Sequence, residues 1–324
     1  MRWFLTILLL LSAAPASGRG IPLSEAEVSA VVSRGLDGMD AGGADRAVLF
    51  HGIRIEVAPS GSSFTTEHRV ERILTLEGGR DLAVLWLGYD PASNEVTPVS
   101  VRVHRAGGDV VEVPVSEALD VPAPLHAIYW PFRALVLALP RLLPGDTVEW
   151  VLQRRGFSIA YLDGNDEDLE RFAPPMRGDF YDKVLFAERI PLVEKVYDLH
   201  LPPEMDLTFG TFGPPVEVHR DPAPDGATRY RFQRRRSPAL AAEPRAPNPS
   251  DDAPKVVLST GTDWRKKSVW FHQVNEPMFA HDQALRDAVK EILKGAKTEE
   301  AQVRRLLRWV AREIRYSGLQ VIQG

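Results

Sequence analysis

The densest group of potential metal ligands in the sequence is an acidic run at residues 163–168, which reads Asp-Gly-Asn-Asp-Glu-Asp. Oxygen ligands at alternating positions are those that Ca²⁺ prefers. An EF-hand loop needs Gly at its sixth position and Glu at its twelfth, where this run has Asp168 and Pro174. We therefore interpret the run as a solvated acidic loop, with a calcium site of another geometry as the alternative.

Nucleophiles and zinc ligands at catalytic spacing are absent from the sequence. It has no Cys, so it lacks both a thiolate nucleophile and thiolate metal ligands. No Gly-x-Ser-x-Gly motif places a serine on a strained turn. The eight His residues include no pair separated by one or three residues, a spacing that would bring two imidazoles to one zinc ion. The sequence therefore identifies no catalytic, cofactor-binding or metal-ligating residue.

Two groups of basic residues could contact an anionic partner. One surrounds Tyr230 and Phe232 and consists of Arg229, Arg231, Arg234, Arg235 and Arg236; the other, at helical spacing, consists of Arg304, Arg308, Arg312 and Arg315. We interpret the first as a strand with Arg outside and aromatic rings inside, and the second as the solvated face of a helix. The net charge of −5 and pI near 6.0 predict no nucleic-acid partner. An anionic envelope polymer and a membrane surface stay as alternatives.

Aromatic residues are concentrated around Pro-rich turns in the middle of the chain. They are Trp130, Phe132, Trp150, Phe157, Tyr161, Phe172, Phe180 and Tyr181. Such residues could line a groove for a carbohydrate or a peptide. Because aromatic side chains are most often buried or anchor loops, we predict that these pack in the core and against loops.

Residues 1–18 have the features of a secretory signal peptide. Arg2 precedes an apolar run from Trp3 to Leu11, and small residues place the cleavage site after Ala16 or Gly18. The run is shorter than the roughly 20 apolar residues that a membrane-spanning helix needs. No Cys follows it that could carry a lipid anchor. We expect an exported protein, periplasmic or extracellular, with no transmembrane segment after signal cleavage.

The elements that must position any site are predominantly strands. Residues 19–46 predict a short helix and a linker, because Ser24 and Glu27 have the spacing of a capping box. Residues 47–271 consist of short alternating or β-branched segments, which are separated by Gly- and Pro-rich turns. Many short strands at regular spacing favour a β-sandwich over βαβ units. Within this region, residues 237–254 are rich in Pro and predict an extended crossing segment.

Residues 272–324 have a helical period instead. Leu285, Val289 and Ile292 lie on one face of a first helix, and Thr298 caps a second helix whose apolar face includes Val303 and Leu307. The predicted fold class is therefore mainly β, with a β-sandwich type N-terminal region followed by two C-terminal helices.

The last helix carries a family resemblance. Residues 309–318 read Trp-Val-Ala-Arg-Glu-Ile-Arg-Tyr-Ser-Gly and are similar to the helix that precedes the catalytic Cys of exported bacterial transglutaminase-like proteins. The upstream region resembles the β-rich domain of unknown function found before such domains. The matching stretches are Arg69–Thr75, Tyr89–Pro91, Pro144–Trp150 and Ser259–Trp264. The resemblance covers residues 48–318 and implies that residues 272–324 begin a papain-like α+β domain, incomplete here.

The catalytic Cys, His and Asp of that family have no counterpart in this sequence. The resemblance therefore implies an exported accessory β-sandwich module of a transglutaminase-like or cysteine-protease-like envelope protein, without catalytic activity in the truncated chain itself. Its expected partner is a peptide, protein or glycan of the cell envelope, and no cofactor is expected. The alternative is a stand-alone periplasmic module that binds a ligand or protein. The first reading predicts an uncovered apolar face on the last helix; the second predicts that this face packs against the β-region.

Overall fold

A computed structural model describes residues 20–123, 132–157, 176–223, 226–240 and 248–314. The strands are β1 Arg46–Val57, β2 Ser63–Ile73, β3 Val84–Tyr89, β4 Asn94–His104, β5 Val110–Glu112, β6 Leu119–Pro122, β7 Arg133–Ala138, β8 Thr147–Gly156, β9 Tyr181–Leu185, β10 Leu192–Leu201, β11 Thr208–Phe212, β12 Glu217–Pro222, β13 Thr228–Ser237 and β14 Lys255–Ser259. The α-helices are α1 Glu25–Arg34, α2 Leu76–Asp81, α3 Pro249–Asp252, α4 Trp264–Asn275, α5 Gln283–Leu293 and α6 Glu299–Glu313. Two 3-10 turns lie at Val115–Glu117 and Glu276–Phe279.

The central layer is an eight-stranded sheet in the order β12-β13-β10-β1-β2-β8-β4-β5. Neighbouring strands are antiparallel except for β1 and β10, which run parallel. A parallel pair cannot be joined by a hairpin. Consistent with this, β1 and β10 are far apart in the sequence. More than half of the strands of this sheet, namely β1, β2, β4, β5 and β8, precede β10 in the chain.

Two smaller three-stranded sheets cover one face of the large sheet. The first, in the order β11-β14-β9, buries Phe186 and Val256 against Tyr197 and Phe232 of the large sheet. The second, in the order β3-β7-β6, buries its own apolar residues such as Leu137 against strands β4 and β8. The result is a layered β structure with two separate apolar cores on one face, which we call the β10 core and the β8 core.

The register of the strands shows that both cores lie on the same face. Residues paired across a ladder point to the same side of a sheet. Tyr197 pairs with Ile53, Ile53 with Glu67, and Glu67 with Leu152. Tyr197 belongs to the β10 core and Leu152 to the β8 core. The positions between them, on β1 and β2, therefore lie along the boundary between the two cores.

Helix α1 covers the opposite face of the large sheet. Ser24 accepts a hydrogen bond from the backbone N–H of Glu27, and Glu27 accepts one from the N–H of Ser24, which completes the predicted capping box. Val28 and Val31 of α1 are buried against Phe50 and Val70. The helix is thereby fixed at both its N-terminus and its apolar face.

The helices that follow the sheets are much more exposed. α5 and α6 pack against each other, and neither contains a buried residue. Large apolar side chains remain open to solvent along this segment; they are Trp264, Val269, Phe271, Phe279, Leu285, Val303, Leu307, Trp309, Val310 and Ile314. An ion pair of 3.3 Å between Lys266 and Asp179 links α4 to the β-rich part.

The predicted fold class is confirmed: the chain is mainly β, with several sheets and helices at its C-terminal side. The change to helix occurs earlier than the sequence period indicated, because α4 begins at Trp264, where the Asp263 side chain caps the N–H groups of Arg265 and Lys266. The sequence analysis gave only strands and turns for residues 47–271, whereas α2, α3 and most of α4 lie within that region. The predicted signal peptide lies outside the described residues, as does the acidic run at 163–168.

Candidate functional site

The boundary between the two apolar cores holds a row of charged residues. Lys195 pairs with His51, His51 with Arg69, and Arg69 with Trp150, so all four side chains lie on one face of the sheet. The neighbouring row contributes Glu67, and the loop between β9 and β10 contributes Glu188. We call the following six residues the central ion cluster: Arg46, His51, Glu67, Arg69, Glu71 and Glu188.

Arg69 is the centre of this cluster. Its guanidinium donates to both carboxylate oxygens of Glu188, at 2.9 and 2.7 Å, and its Nε donates to Glu71 at 3.0 Å. The other oxygen of Glu71 accepts a hydrogen bond of 2.6 Å from Arg46. The Arg69 guanidinium also lies 5.8 Å from the centre of the Trp150 ring. These contacts give Arg69 a bidentate carboxylate partner and an aromatic partner, the arrangement in which a buried guanidinium is best stabilised.

His51 connects two carboxylates of the cluster. Its Nε2 lies 2.9 Å from Glu67 Oε1, and its Nδ1 lies 3.1 Å from Glu188 Oε1. Burial by itself raises the pKa of Glu67, but the hydrogen bond from His51 and the nearby positive charges outweigh burial and lower it to about 2. Glu188 is shifted in the same direction, because the hydrogen bond from His51 and the charge of Arg69 outweigh the burial that raises its pKa. Both carboxylates are therefore ionised and paired at neutral pH.

Lys195 lies beside this cluster but is not part of it. The residue is 7% exposed. Among the described residues, no carboxylate forms an ion pair with its ammonium group, although Glu188, Glu67 and Asp182 are near enough to act on it electrostatically. Burial lowers the pKa of Lys195, and the charges of these carboxylates only partly offset that effect. A buried, unpaired ammonium group is costly and uncommon in a folded protein.

A cavity of about 690 Å³ opens next to Lys195. Strands β1, β2 and β10 form its floor, through residues such as Ile53, Thr65 and Lys195, and β9 with the loop after it forms a wall. Its volume falls in the range of roughly 300–1,000 Å³ that is usual for small-molecule sites. We call this feature the Lys195 cavity.

Asp182 and Tyr197 form a polar pair in the cavity wall. The Tyr197 hydroxyl donates a hydrogen bond of 2.7 Å to Asp182 Oδ2, and the Lys183 backbone N–H donates to Oδ1. Burial raises the pKa of Asp182, and these hydrogen bonds only partly offset it. Burial and the neighbouring Asp182 charge raise the pKa of Tyr197 well above its usual range. The Tyr197 hydroxyl therefore stays protonated and serves as a donor.

The opposite face of the sheet holds a second buried polar group. Glu149 accepts hydrogen bonds from His68 Nε2 at 3.1 Å and His104 Nε2 at 2.7 Å, and His68 Nδ1 accepts one from the backbone N–H of Leu23. Burial raises the pKa of Glu149, but the two imidazoles outweigh it and lower the pKa to about 2. Helix α1 and the large sheet enclose this group. His104 also lines a cavity of about 460 Å³ between α1 and strands β4 and β5. Because His68 accepts the backbone N–H of Leu23, we assign the group a structural role that holds the N-terminal segment in place.

The first group of Arg residues is occupied by carboxylate and backbone partners. Tyr230 and Phe232 are buried, as expected for the inward positions of β13. Arg231 is buried too, however, and contacts Asp198 together with Arg229. The prediction that all of these Arg side chains point outward was therefore wrong for Arg231, because the second face of β13 is also partly covered. In the second group, Arg304 pairs with Glu300 on the surface of α6.

The aromatic residues divide between the core and the surface. Trp150, Phe157 and Phe180 are buried as predicted, whereas Tyr181 is exposed. Trp130, Tyr161 and Phe172 lie outside the described residues. Within the described parts of the chain, no group of three or more His, Asp or Glu side chains is arranged to hold a metal ion. No helix in those parts is long and apolar enough to cross a membrane.

The sequence analysis assigned no site role to any residue of the central ion cluster or to Lys195, although Arg69 and Glu71 lie in the stretch Arg69–Thr75 that carries the family resemblance. A signal was nevertheless present. Glu67, Arg69 and Glu71 occupy alternate positions of β2, which places three charges on one face, and the pair Glu194-Lys195 interrupts a strand that is otherwise apolar. Charges at such positions indicate either a solvated face or buried pairing. The tertiary structure decides between a solvated face and buried pairing, because β2 lies in the middle of the sheet and other layers cover its faces.

Comparison with known proteins gives a fold and a family but no biochemical activity. A crystal structure of a proposed protease from Parabacteroides distasonis ATCC 8503 is similar with a TM-score of 0.65 at 14% identity, over 84% of this chain and 50% of that one. An M1 zinc metallopeptidase from Deinococcus radiodurans gives a TM-score of 0.35 at 12% identity, over 68% of this chain and 43% of that one. The first likeness shows a shared fold, and the second score is too low to do so.

A proposed nutrient-binding protein from Legionella pneumophila gives a TM-score of 0.32 at 10% identity, over 85% of this chain and 87% of that one. This score is also too low to indicate a shared fold. The chain spans about half the length of the Parabacteroides protein. No curated protein matches the sequence. A family model described as a domain of unknown function with a solved structure matches residues 59–241, which is more than half of the chain. The chain belongs to this family, DUF3857.

Proposed function

We propose that this chain is the exported β-rich accessory module of an envelope protein whose catalytic part is a transglutaminase-like, papain-type domain. In this proposal, α5 and α6 form the connection to the catalytic domain and pack against it. The β-rich part then positions that domain relative to a peptide, protein or glycan substrate of the envelope. The signal-peptide features of residues 1–18 support export.

The observation that carries the proposal is the uncovered apolar face of α6. Val303, Leu307, Val310 and Ile314 recur at the spacing of one helix face. Leu307 is 66% exposed and Ile314 56%. An amphipathic helix is stabilised mainly by burial of its apolar face against other structure. A face that the β-rich part leaves open is what the accessory-module proposal requires.

Two further findings agree with this proposal. The matched region spans 84% of this chain but only 50% of the Parabacteroides protein with the shared fold, which is therefore longer and is described as a proposed protease. In addition, the sequence that resembles the pre-catalytic helix of transglutaminase-like proteins begins at Trp309, within α6. The helix with the open face is thus the same helix that carries the family resemblance.

The first test is the DNA sequence downstream of codon 324, read in all three frames. The proposal expects a coding stretch with a Cys soon after Gly324, followed by a His and an Asp. If no frame encodes such residues, the proposal is wrong.

The second test uses the longer protein, if such a coding stretch exists. Amide hydrogen exchange in α6 should be slower in the longer protein than in the 324-residue chain, because the added domain covers the apolar face. Leu307→Asp should restore fast exchange in the longer protein. Arg308→Asp is the matched control, since the neighbouring Arg308 is exposed and lies beside the apolar face. Equal exchange in both proteins would show that α6 is not the connection.

A further inference from the structure

The Lys195 cavity lies in the β-rich part and does not involve α5 or α6. Any function that it has is therefore independent of the proposed connection to a catalytic domain. Three properties of the cavity bear on what it could bind: a buried cation without a partner, carboxylates that are already occupied, and an apolar wall.

Lys195 supplies the buried cation. It is 7% exposed and lines the cavity. Removing an ammonium group from water costs several kcal/mol unless a charged or hydrogen-bonded partner compensates. In the described parts of the chain, no hydrogen bond or ion pair is made by its ammonium group. Lys195 Nζ is not among the buried polar atoms that lack a partner, so it faces the cavity, where a ligand would replace water as its partner.

The nearby carboxylates are held by other groups. Both oxygens of Glu188 accept hydrogen bonds from Arg69, and Glu67 is paired with His51. Asp182 accepts from the Tyr197 hydroxyl and from a backbone N–H. These bonds fix the carboxylates in place, so their charges favour the ammonium form of Lys195 without a direct ion pair to it.

The charges that line the cavity favour an anion. The cationic side chains are those of Arg154, Lys183, Arg189 and Lys195. The acidic side chains are those of Glu67, Asp182 and Glu188. Four cationic side chains against three acidic ones leave the lining with a net positive charge, and Lys195 is its most deeply buried cation.

The rest of the lining is apolar. Ile55, Phe157, Phe180 and Val184 are all buried residues that contribute to the wall. One buried cation matches one negative group, and an apolar wall of this kind matches a hydrocarbon or apolar side chain attached to that group. A planar carboxylate, which accepts several hydrogen bonds, can use the three donors of an ammonium group.

We propose that the Lys195 cavity binds a monocarboxylate that carries an apolar group. The carboxylate binds the ammonium group of Lys195, and the apolar group packs against the wall that includes Ile55 and Phe180. This chemistry is shared by the C-terminal carboxylate of a peptide with an apolar last residue and by a free aliphatic acid. Lys195 is a binding residue in this assignment, and no covalent step is involved.

The test is isothermal titration calorimetry on this chain without the predicted signal peptide, residues 1–18. The probes are N-acetyl-dileucine, the same dipeptide with a C-terminal amide, and octanoate. At least one acid should bind, and the amide should bind at least tenfold more weakly than the dipeptide acid if the peptide is the ligand. Tighter binding of the dipeptide acid identifies a peptide C-terminus as the source, and tighter binding of octanoate identifies an aliphatic acid.

Lys195→Met tests the assigned residue, because it removes the charge and retains much of the side-chain volume. The preferred acid should bind at least tenfold more weakly to this variant. Its thermal midpoint should equal or exceed that of the unsubstituted chain, since a buried unpaired charge has been removed. Lys183→Met is the matched control: Lys183 is exposed at the same cavity, and the affinity should change less than twofold.

Two results would overturn the proposal. One is the absence of binding by either acid at millimolar concentration. The other is binding of the preferred acid to folded Lys195→Met with unchanged affinity. If that variant did not fold, the comparison of acid with amide on the unsubstituted chain would decide instead, and equal binding of the two would reject Lys195 as a carboxylate partner.

Discussion

The β-rich part and the terminal helices use the same kinds of residue with different results. In the β-rich part, Phe232 is completely buried, and Arg69 is enclosed with its carboxylate partners. In the terminal segment, Phe279 is 65% exposed, and the ion pair between Arg304 and Glu300 lies on the surface. The difference shows that a side chain's contribution depends on what covers it rather than on its type.

This comparison has a thermodynamic consequence. Free energy from apolar burial scales with the area removed from water, and ion pairs are strongly coupled to stability only where solvent is excluded. We therefore expect the β-rich part to unfold cooperatively at a higher denaturant concentration than the terminal helices, which open locally first. Matched substitutions in the two regions test this expectation.

The largest contrast is expected for two Phe→Ala substitutions. Phe232 packs edge-to-face with Tyr197 and Phe209, at ring-centre distances of 6.2 and 5.2 Å. Phe232→Ala should lower the free energy of unfolding by about 4 kcal/mol, because it removes a large buried side chain and leaves a cavity. Phe279→Ala should change it by less than about 0.5 kcal/mol. Urea denaturation followed by circular dichroism measures both, and similar losses for the two variants would contradict the division into a packed and an open region.

The second contrast concerns buried and exposed charge. Arg69→Met should cost about 3 kcal/mol, since it leaves Glu188 and Glu71 enclosed without their main partner. Arg304→Met removes the exposed partner of Glu300 and should cost less than about 0.5 kcal/mol. The same denaturation measurement applies. A double substitution, Arg69→Met with Glu188→Leu, should recover part of the loss, and no recovery would mean that the ion pair is not the source of the effect.

The sequence predicted local structure more accurately than it predicted the site. The capping box at Ser24, the short strands and the helical segments follow from patterns within a few residues, and the structure contains them. The central ion cluster depends instead on the order of strands, which places β2 between β1 and β8, and on the layers that cover the two faces of the sheet. No spacing in the sequence specifies that order.

Lys195 illustrates the same limit. Its charge within an apolar strand was visible in the sequence, but its significance depends on the parallel pairing of β10 with β1. That pairing places Lys195 beside His51, although the two residues are far apart in the sequence. It also places Lys195 in the cavity whose wall includes β9. Long-range pairing of this kind is where single-sequence patterns carry least information.

A third, smaller effect is expected in acid. The pKa of Glu149 is lowered to about 2 in the folded protein, from an ordinary value near 4.5. Ionised Glu149 therefore contributes stability above about pH 4.5, and this contribution is lost as the pH falls toward 2. Glu149→Gln should lower the free energy of unfolding by about 2 kcal/mol at pH 5, and the difference should shrink toward pH 2.

Glu300→Gln is the control for this titration, because Glu300 is 80% exposed in its side chain and lies on α6. Its effect should be small across the same pH range. Denaturant unfolding at several pH values between 5 and 2 gives both curves. A constant difference between Glu149→Gln and the unsubstituted chain would contradict the role of His68 and His104 in holding this carboxylate ionised.

The smallest contrast compares two helix caps of similar chemistry. Ser24 caps α1, whose Val28 and Val31 are buried against the sheet, whereas Thr298 caps α6, which contains no buried residue. Ser24→Ala should lower the global free energy of unfolding by about 1 kcal/mol, since fraying of α1 exposes part of the core around Phe50. Thr298→Ala removes an equivalent hydrogen bond but should affect only hydrogen exchange within α6, because that helix opens without unfolding the sheets. A global loss from Thr298→Ala would mean that the terminal helices unfold together with the β-rich part.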